Sequence, residues 1–219
     1  MRAALFSNGD VPNPLSIRDN LRPDDVIVSV DGGMRHLRVL DLYPQLIIGD
    51  MDSIQTDILS NLEEAGIEVL RFPPAKDETD LELALIILEE RGFDEILIIG
   101  ALGGRIDQTL ANIWLLAQRS RPGFSITFND GCERINLILD QFTIIGEIGD
   151  QVSLIPFGSA VKGISTKGLE YPLCDETLYP DRTRGLSNVL RNEKASIVIK
   201  SGRLLCIHRR SAACRKDKK

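Results

Sequence analysis

The sequence predicts an α/β N-terminal domain on a parallel, doubly wound sheet, followed by an all-β C-terminal domain. Two observations carry this. Up to about residue 120, short apolar β-rich runs alternate with helical patterns, which is the signature of a parallel sheet covered by helices. After Asn129-Asp130-Gly131 the runs stay short, with Gly, Pro and Asp between them and no long helix, which points to a small antiparallel sandwich or barrel. The divide falls near residue 131, giving domains 1–131 and 132–208, with a basic end, 209–219, expected to be disordered.

The expected strands of the first half are Ala3–Phe6, Val26–Val30, Leu46–Ile48, Val69–Phe72, Ile96–Ile99 and Ser125–Phe128. Helices are expected over 33–41, 54–65, 79–91 and 107–119. In the third, Leu81, Leu85 and Leu88 recur at helical spacing and Ala84 and Ile87 widen the face. In the last, Trp114 shares an apolar face with Leu110 and Ala117 and reads as core. The second half offers Arg134–Leu139, Phe142–Ile145, Val152–Pro156, Leu169–Leu173, Ser196–Lys200 and Leu204–His208 as strands, with His208 structural.

Composition bounds the function. Of 219 residues, 43% are hydrophobic and 26% charged, as in ordinary globular proteins. No apolar run approaches the roughly 20 residues that cross a bilayer, and the first residues turn polar too soon for a signal peptide. The expectation is a cytoplasmic protein with no membrane partner. The net charge of −6 is uneven. Residues 209–219 hold six basic residues against one acidic, a balance of +5, which leaves −11 for the remainder and argues against nucleic acid as a partner. Cys132, Cys174, Cys206 and Cys214 form no C-x-x-C pair and His36 and His208 lie far apart, so free thiols are expected and a zinc site is not.

Ligands of an open parallel sheet bind beyond the carboxyl ends of its strands. Four loops fall there: Asp31-Gly32-Gly33; Gly49-Asp50-Met51-Asp52-Ser53; Pro73 to Asp80, with Lys76-Asp77-Glu78-Thr79-Asp80; and Gly100 to Asp107, with Gly103-Gly104-Arg105-Ile106-Asp107. Each alone has an ordinary explanation. Asp before Gly is turn chemistry, and Thr79 with Glu82 fits a capping box. Caps do not need four such loops on one edge, nor paired Asp with adjacent Lys and Arg. Asp50 and Asp52, two apart in an extended segment, point the same way and repel unless a cation lies between them. Hard oxygen ligands suit magnesium, and Asp77 or Asp80 could add a third carboxylate. Lys76 and Arg105 suit phosphate oxygens, and Gly32, Gly33, Gly103 and Gly104 allow close backbone approach. No G-x-G-x-x-G, P-loop or G-x-S-x-G pattern accompanies them.

These segments, in order and spacing, resemble the thiamine pyrophosphokinase family. The match continues through Gln108, Ala111-Asn112, Val152-Ser153-Leu154-Ile155-Pro156, Gly163 to Leu173 and Leu186-Ser187-Asn188, and so covers nearly the whole chain outside the basic end. The resemblance implies a Rossmann-like α/β domain, a β-sandwich and a homodimer in which one chain's sandwich completes the other's cleft. It implies transfer of a pyrophosphoryl group from ATP to thiamine, with Mg2+ on Asp50, Asp52 and Asp80. Asp31, Lys76, Asp77, Arg105 and Asp107 would line the ATP cleft with Thr79 and Gln108, and Ser187 and Asn188 would bind the thiamine aminopyrimidine. The family often has Trp at Tyr171, where a stacking face survives, and His at Gln108. A pterin pyrophosphokinase would share Gly49–Ser53, but the segments after Gly163 favour thiamine. A non-catalytic thiamine or nucleotide sensor is the rival of another class; every acidic position of the expected site being intact speaks against it.

Overall fold

The computed structural model describes residues 1–52, 56–211 and 214. Strands β1 (Arg2–Phe6), β2 (Val26–Val30), β3 (Leu46–Gly49), β4 (Glu68–Arg71), β5 (Glu95–Ile99) and β6 (Ser125–Asn129) pair in parallel in the order β6-β5-β1-β2-β3-β4. Their side chains are apolar on both faces because both faces are covered. Ala3 and Leu5 pack with Leu81, Leu85 and Leu88 of α4 (Asp80–Glu90) and Leu116 of α5 (Ile106–Arg119). Ala4 and Phe6 point the other way, against Ile17 of α1 (Pro14–Arg18) and Leu37 and Leu40 of α2 (Met34–Leu40). Helix α3 (Thr56–Glu64) contributes Leu59 to the same layer.

Helix α1 has no counterpart in the sequence pattern. At five residues it is too short to show a period, and it is fixed by Pro14 in its first turn and by Asn13, whose side chain accepts from Ser16 N at 3.2 Å. The expectation for Trp114 is corrected. Trp114 and Leu110 are half exposed, and the Trp114 ring meets Phe157 edge-on, with ring centroids 4.4 Å apart. Helical spacing reveals an apolar face but not whether anything covers it.

The β-rich half comprises β7 (Glu133–Ile138), β8 (Gln141–Ile145), β9 (Gln151–Pro156), β10 (Val161–Lys167), β11 (Glu176–Leu178), β12 (Asn188–Val189), β13 (Lys194–Val198) and β14 (Leu204–Arg209). β7 turns back antiparallel on β6, and β14, β9 and β12 follow in order, so one sheet of ten strands runs through both halves. A second sheet, β11-β10-β13-β8, packs on its far end around Ile138, Val152, Leu154, Ile164, Ile197 and Leu204.

The expected strand Leu169–Leu173 does not form. Leu169 makes a single bridge with Leu190, and the segment closes as a loop in which Thr166 and Leu173 exchange hydrogen bonds. Pro172 has no N–H to continue a ladder there. β10 escapes the period because its register shifts between Val161 and Ile164, and β12 because it is two residues long. Arg209 is the last residue of β14, the Arg210 guanidinium donates to Ser16 Oγ at 2.6 Å and to the Gly131 carbonyl at 2.8 Å, and Ser211 N donates to Asp150 Oδ1 at 2.8 Å, so the basic end is integrated at least three residues further than expected. Residues 212, 213 and 215–219 of that end, like Ser53, lie outside the described residues. No disulfide joins cysteines among the described residues, and none of their helices is long and apolar enough to cross a membrane.

His208 is structural. It is buried on β14, and its Nε2 donates to Asp150 Oδ2 at 2.9 Å. Burial, together with the charges of Arg134 and Arg210, holds its pKa below the usual 6.5 despite the carboxylate. A histidine whose folded pKa is depressed binds its proton more readily in the unfolded chain, so stability falls as pH drops below about 6.5. His208→Gln keeps a donor without a titrating ring. It is expected to flatten the decline of melting temperature between pH 6.5 and 5, measured by thermal unfolding; an unchanged slope would contradict this assignment.

Candidate active site

β1 lies between β2 and β5, so the winding of the parallel sheet reverses at β1. The carboxyl ends of β1, β2, β3 and β5 meet the start of α4 at this switch point, where such sheets hold their ligands. A cleft of about 340 Å³ opens there. One wall is Ser7-Asn8-Gly9 after β1, a loop that the sequence reading passed over. It is laced to the loop after β5: Ser7 N donates to Ile99 O at 2.8 Å, Gly9 N to Gly100 O at 2.6 Å and Asp10 N to Leu102 O at 2.7 Å. The Asp10 carboxylate accepts from Gly104 N at 3.1 Å. A side chain at Gly9 would collide with the carbonyls of Gly100 and Leu102. The signal that could have found this loop is the one used for the other four, its place directly after a parallel strand.

Asp31, Asp50 and Asp80 line the cleft, from the ends of β2 and β3 and the first turn of α4. Asp31 and Met51 hold the left-handed backbone conformation, φ +50° and +66°, which side chains other than glycine rarely adopt and which recurs at functional sites. The Asp52 side chain is exposed, and its N–H donates to Asp50 Oδ1 at 3.2 Å. Burial, and then Asp80, Asp52 and Asp50, raise the Asp31 carboxyl above the ordinary range. Against these four carboxylates the cleft wall supplies Lys76, whose Nζ lies 2.9 Å from Asp80 Oδ1 and 3.0 Å from the Pro73 carbonyl.

The donor set fits a magnesium ion. It is all carboxylate oxygen, and the Asp31 carboxyl is raised by its burial and then by its carboxylate neighbours. Among the described residues no three Asp, Glu, His or Cys side chains lie close enough together to hold a metal ion by themselves.

The other predicted positions divide. Thr79 caps α4, accepting from Glu82 N at 3.2 Å, and borders the cleft, as do Gly103 and Gln108. Gly32 and Gly33 lie under it: their α-carbons press on the Asn8 side chain and the Phe6 carbonyl, so these glycines let the turn after β2 pack on β1. Gly104, Asp77, Arg105 and Asp107 stand outside the cleft wall. Arg105 and Asp107 grip each other on the rim, at 3.1 and 2.5 Å, and both are mostly exposed.

Tyr171, Ser187 and Asn188 sit in the β-rich half, and none borders this cleft. The Asn188 carboxamide is fully engaged. Its Oδ1 accepts from Tyr171 N at 3.0 Å and Val189 N at 2.9 Å, and its Nδ2 donates to Tyr171 O at 2.7 Å. It therefore fixes the Tyr171 backbone and leaves that ring exposed. Ser187, at φ +57° and exposed, donates its N–H to Ser153 Oγ at 3.1 Å.

Carboxylates, a lysine and close-packed glycine loops at a switch point, in a chain whose β-rich half continues the same sheet, have the character of a phosphate-handling transfer enzyme. A family model described as thiamin pyrophosphokinase, catalytic domain, matches residues 17–128, and one described as thiamin pyrophosphokinase, vitamin B1 binding domain, matches residues 141–204. The chain belongs to the thiamine pyrophosphokinase family. The thiamine pyrophosphokinase of Bacillus subtilis is 29% identical over 182 residues, 82% of this chain and 85% of that one. Thiamine pyrophosphokinase 1 of Oryza sativa is 30% identical over 70% of this chain and 62% of its own length. Among solved structures, the Bacillus subtilis enzyme superposes with a TM-score of 0.85 at 26% identity, over 96% of this chain and all of the other. That of Geobacillus thermodenitrificans gives 0.79 at 27% identity, over 98% of this chain and all of its own.

Asp52→Asn is expected to lower turnover at least about a hundredfold, the scale of losing a principal charge-stabilising group, with the fold retained by circular dichroism. Near-normal turnover in a folded variant would remove Asp52 from the site.

Proposed function

We propose that this chain transfers the pyrophosphoryl group of ATP to the hydroxyl of thiamine, releasing AMP and thiamine diphosphate, in the cytoplasm. The observation that carries the reading is the carboxylate cleft at the switch point of a chain whose two halves match the family's two domains. ATP is the co-substrate. When bound on Asp50, Asp52 and Asp80, Mg2+ would supply the positive charge that a triphosphate demands.

The chain's own residues do the rest. Lys76 leaves Asp80 to meet a phosphate oxygen, and the glycine loop at 103 lets backbone approach the phosphates. Arg105 can turn inward from the rim. Asp31, whose carboxyl holds a proton more readily than an ordinary aspartate, is suited to accept the hydroxyl proton. The hydroxyl oxygen bonds to the β-phosphorus while the bond to the α,β-bridging oxygen breaks, and AMP leaves with that electron pair. The exposed Tyr171 ring offers a face for the thiamine cation, and Ser187 adjoins Asn188, whose side chain holds the Tyr171 backbone. Because these residues stand apart from the cleft, the reading places thiamine between two copies paired about a two-fold axis.

The test is incubation of the purified chain with ATP, magnesium chloride and thiamine. AMP and thiamine diphosphate are expected in equal amounts, with loss of both on chelation. ADP with thiamine monophosphate, or bound thiamine without turnover, would contradict the reading.

A further inference from the structure

Away from the cleft, one face of the ten-stranded sheet carries a cluster of arginines with no role in the reaction. On β7, Ile135 and Leu137 face the core under α4 and α5, so Arg134 and Asn136 face the opposite side. On that side the helical layer α1–α3 covers the first strands, and the second sheet covers β9 and β14. β6 and β7 run in the strip between the two covers. Arg134 stands there opposite Asn129 of β6 and His208 of β14, with Arg2 and Arg210 as charged neighbours.

Among the described residues Arg134 and Arg210 have no carboxylate partner, and the nearby acids are already engaged. Asp25 is gripped by Arg2 at 2.6 Å through both Nε and Nη2. Asp150 is engaged by His208, Glu147 N and Ser211 N. Arg134 makes no hydrogen bond or ion pair among the described residues, and its Nε is enclosed without an acceptor. Arg210 Nε and Asn129 Nδ2 are enclosed without acceptors as well. Burial, then Arg210 and Arg2, act on the Arg134 guanidinium in the direction of lower pKa, and no carboxylate offsets them. Guanidinium does not deprotonate in proteins, so this unfavourable field persists as an unmet demand for negative charge.

We propose that the strip between the helical layer and the second sheet binds a small phosphate-class oxyanion, anchored by Arg134 and Arg210. The planar guanidinium fork matches two oxygens of such an anion, and a buried donor without an acceptor is costly enough to favour one that supplies it. Two sources share this chemistry, inorganic phosphate and inorganic pyrophosphate.

The experiment measures melting temperature of the full chain in chloride buffer at constant ionic strength, with either anion titrated in. A saturable rise is expected, about 3–6 °C at roughly ten times the dissociation constant, and the anion giving the larger rise names the source. Arg134→Met is expected to lose that rise and to melt no lower than wild type without anion, because it removes a cation that lacks a counter-charge. A rise that survives in Arg134→Met but is lost in Lys76→Met would assign the anion to the catalytic cleft and overturn the proposal. So would an Arg134→Met variant that folds but melts well below wild type in chloride. If that variant does not fold, the wild-type chain decides. With its cleft filled by a non-hydrolysable ATP analogue, it should still bind one anion per chain in equilibrium dialysis, and no binding would overturn the proposal.

Discussion

Everything in this molecule hangs on the backbone pairing of β1. With β2 on one side and β5 on the other, it makes the sheet reverse its winding. The cleft lies at that reversal, walled by the laced loops after β1 and β5 and by the carboxylates after β2 and β3 and at the start of α4. The same pairing, passed through β5 and β6 to β7, joins the helical half to the β-rich half as one sheet. The phosphate end and the β-rich end are thereby held on a common ladder of hydrogen bonds.

The second constraint is charge. Strand ends bring Asp31, Asp50, Asp52 and Asp80 into one neighbourhood, where Lys76 is the cation paired with Asp80. Left alone, such a cluster opposes folding, and the raised Asp31 carboxyl records that opposition. The left-handed backbone at Asp31 and Met51 adds local strain at the same place. A site that is costly without its ligands and relieved by cation and substrate is organised for binding. The neighbourhood of Arg134 shows the opposite sign of the same imbalance on the other side of the sheet plane.

Much of this was legible in the sequence, because the signals are local. Val26–Val30 forms a strand with those bounds, and Thr79 caps α4 through Glu82 as the spacing indicated. The carboxylate loops follow their strands, so the places of Asp31 and Asp50 on the cleft wall could be read from position, whereas Asp77 and Asp80 stood as alternatives of which only Asp80 borders the cleft. What escaped depends on partners remote in sequence. No period announces that β7 pairs with β6 and extends the first sheet. Trp114 and Leu110 show a helical face but not that it stays open to solvent. Leu169–Leu173 has the alternation of a strand, but Pro172 and the contact with Thr166 make it a loop. The loop Asn8-Gly9-Asp10 was missed because it lacks the Asp-Gly-Gly or paired-Asp pattern of its neighbours.

The account's central claim is that the chemistry is divided. In the function proposed above, carboxylates of one half hold the phosphates, residues of the other half hold thiamine, and a working site takes one half from each of two copies. Mixing two inactive chains tests this directly. Asp52→Asn damages the first half and leaves the second; Asn188→Ala releases Tyr171 and leaves the carboxylates. After subunit exchange, verified by tagged pull-down, each heterodimer holds one site with both defects and one with neither. The account predicts turnover approaching about a quarter of the wild-type rate at equal mixing, since half of the dimers carry one sound site of two. If exchange occurs and no activity returns, each chain builds its own complete site and the division proposed here is wrong.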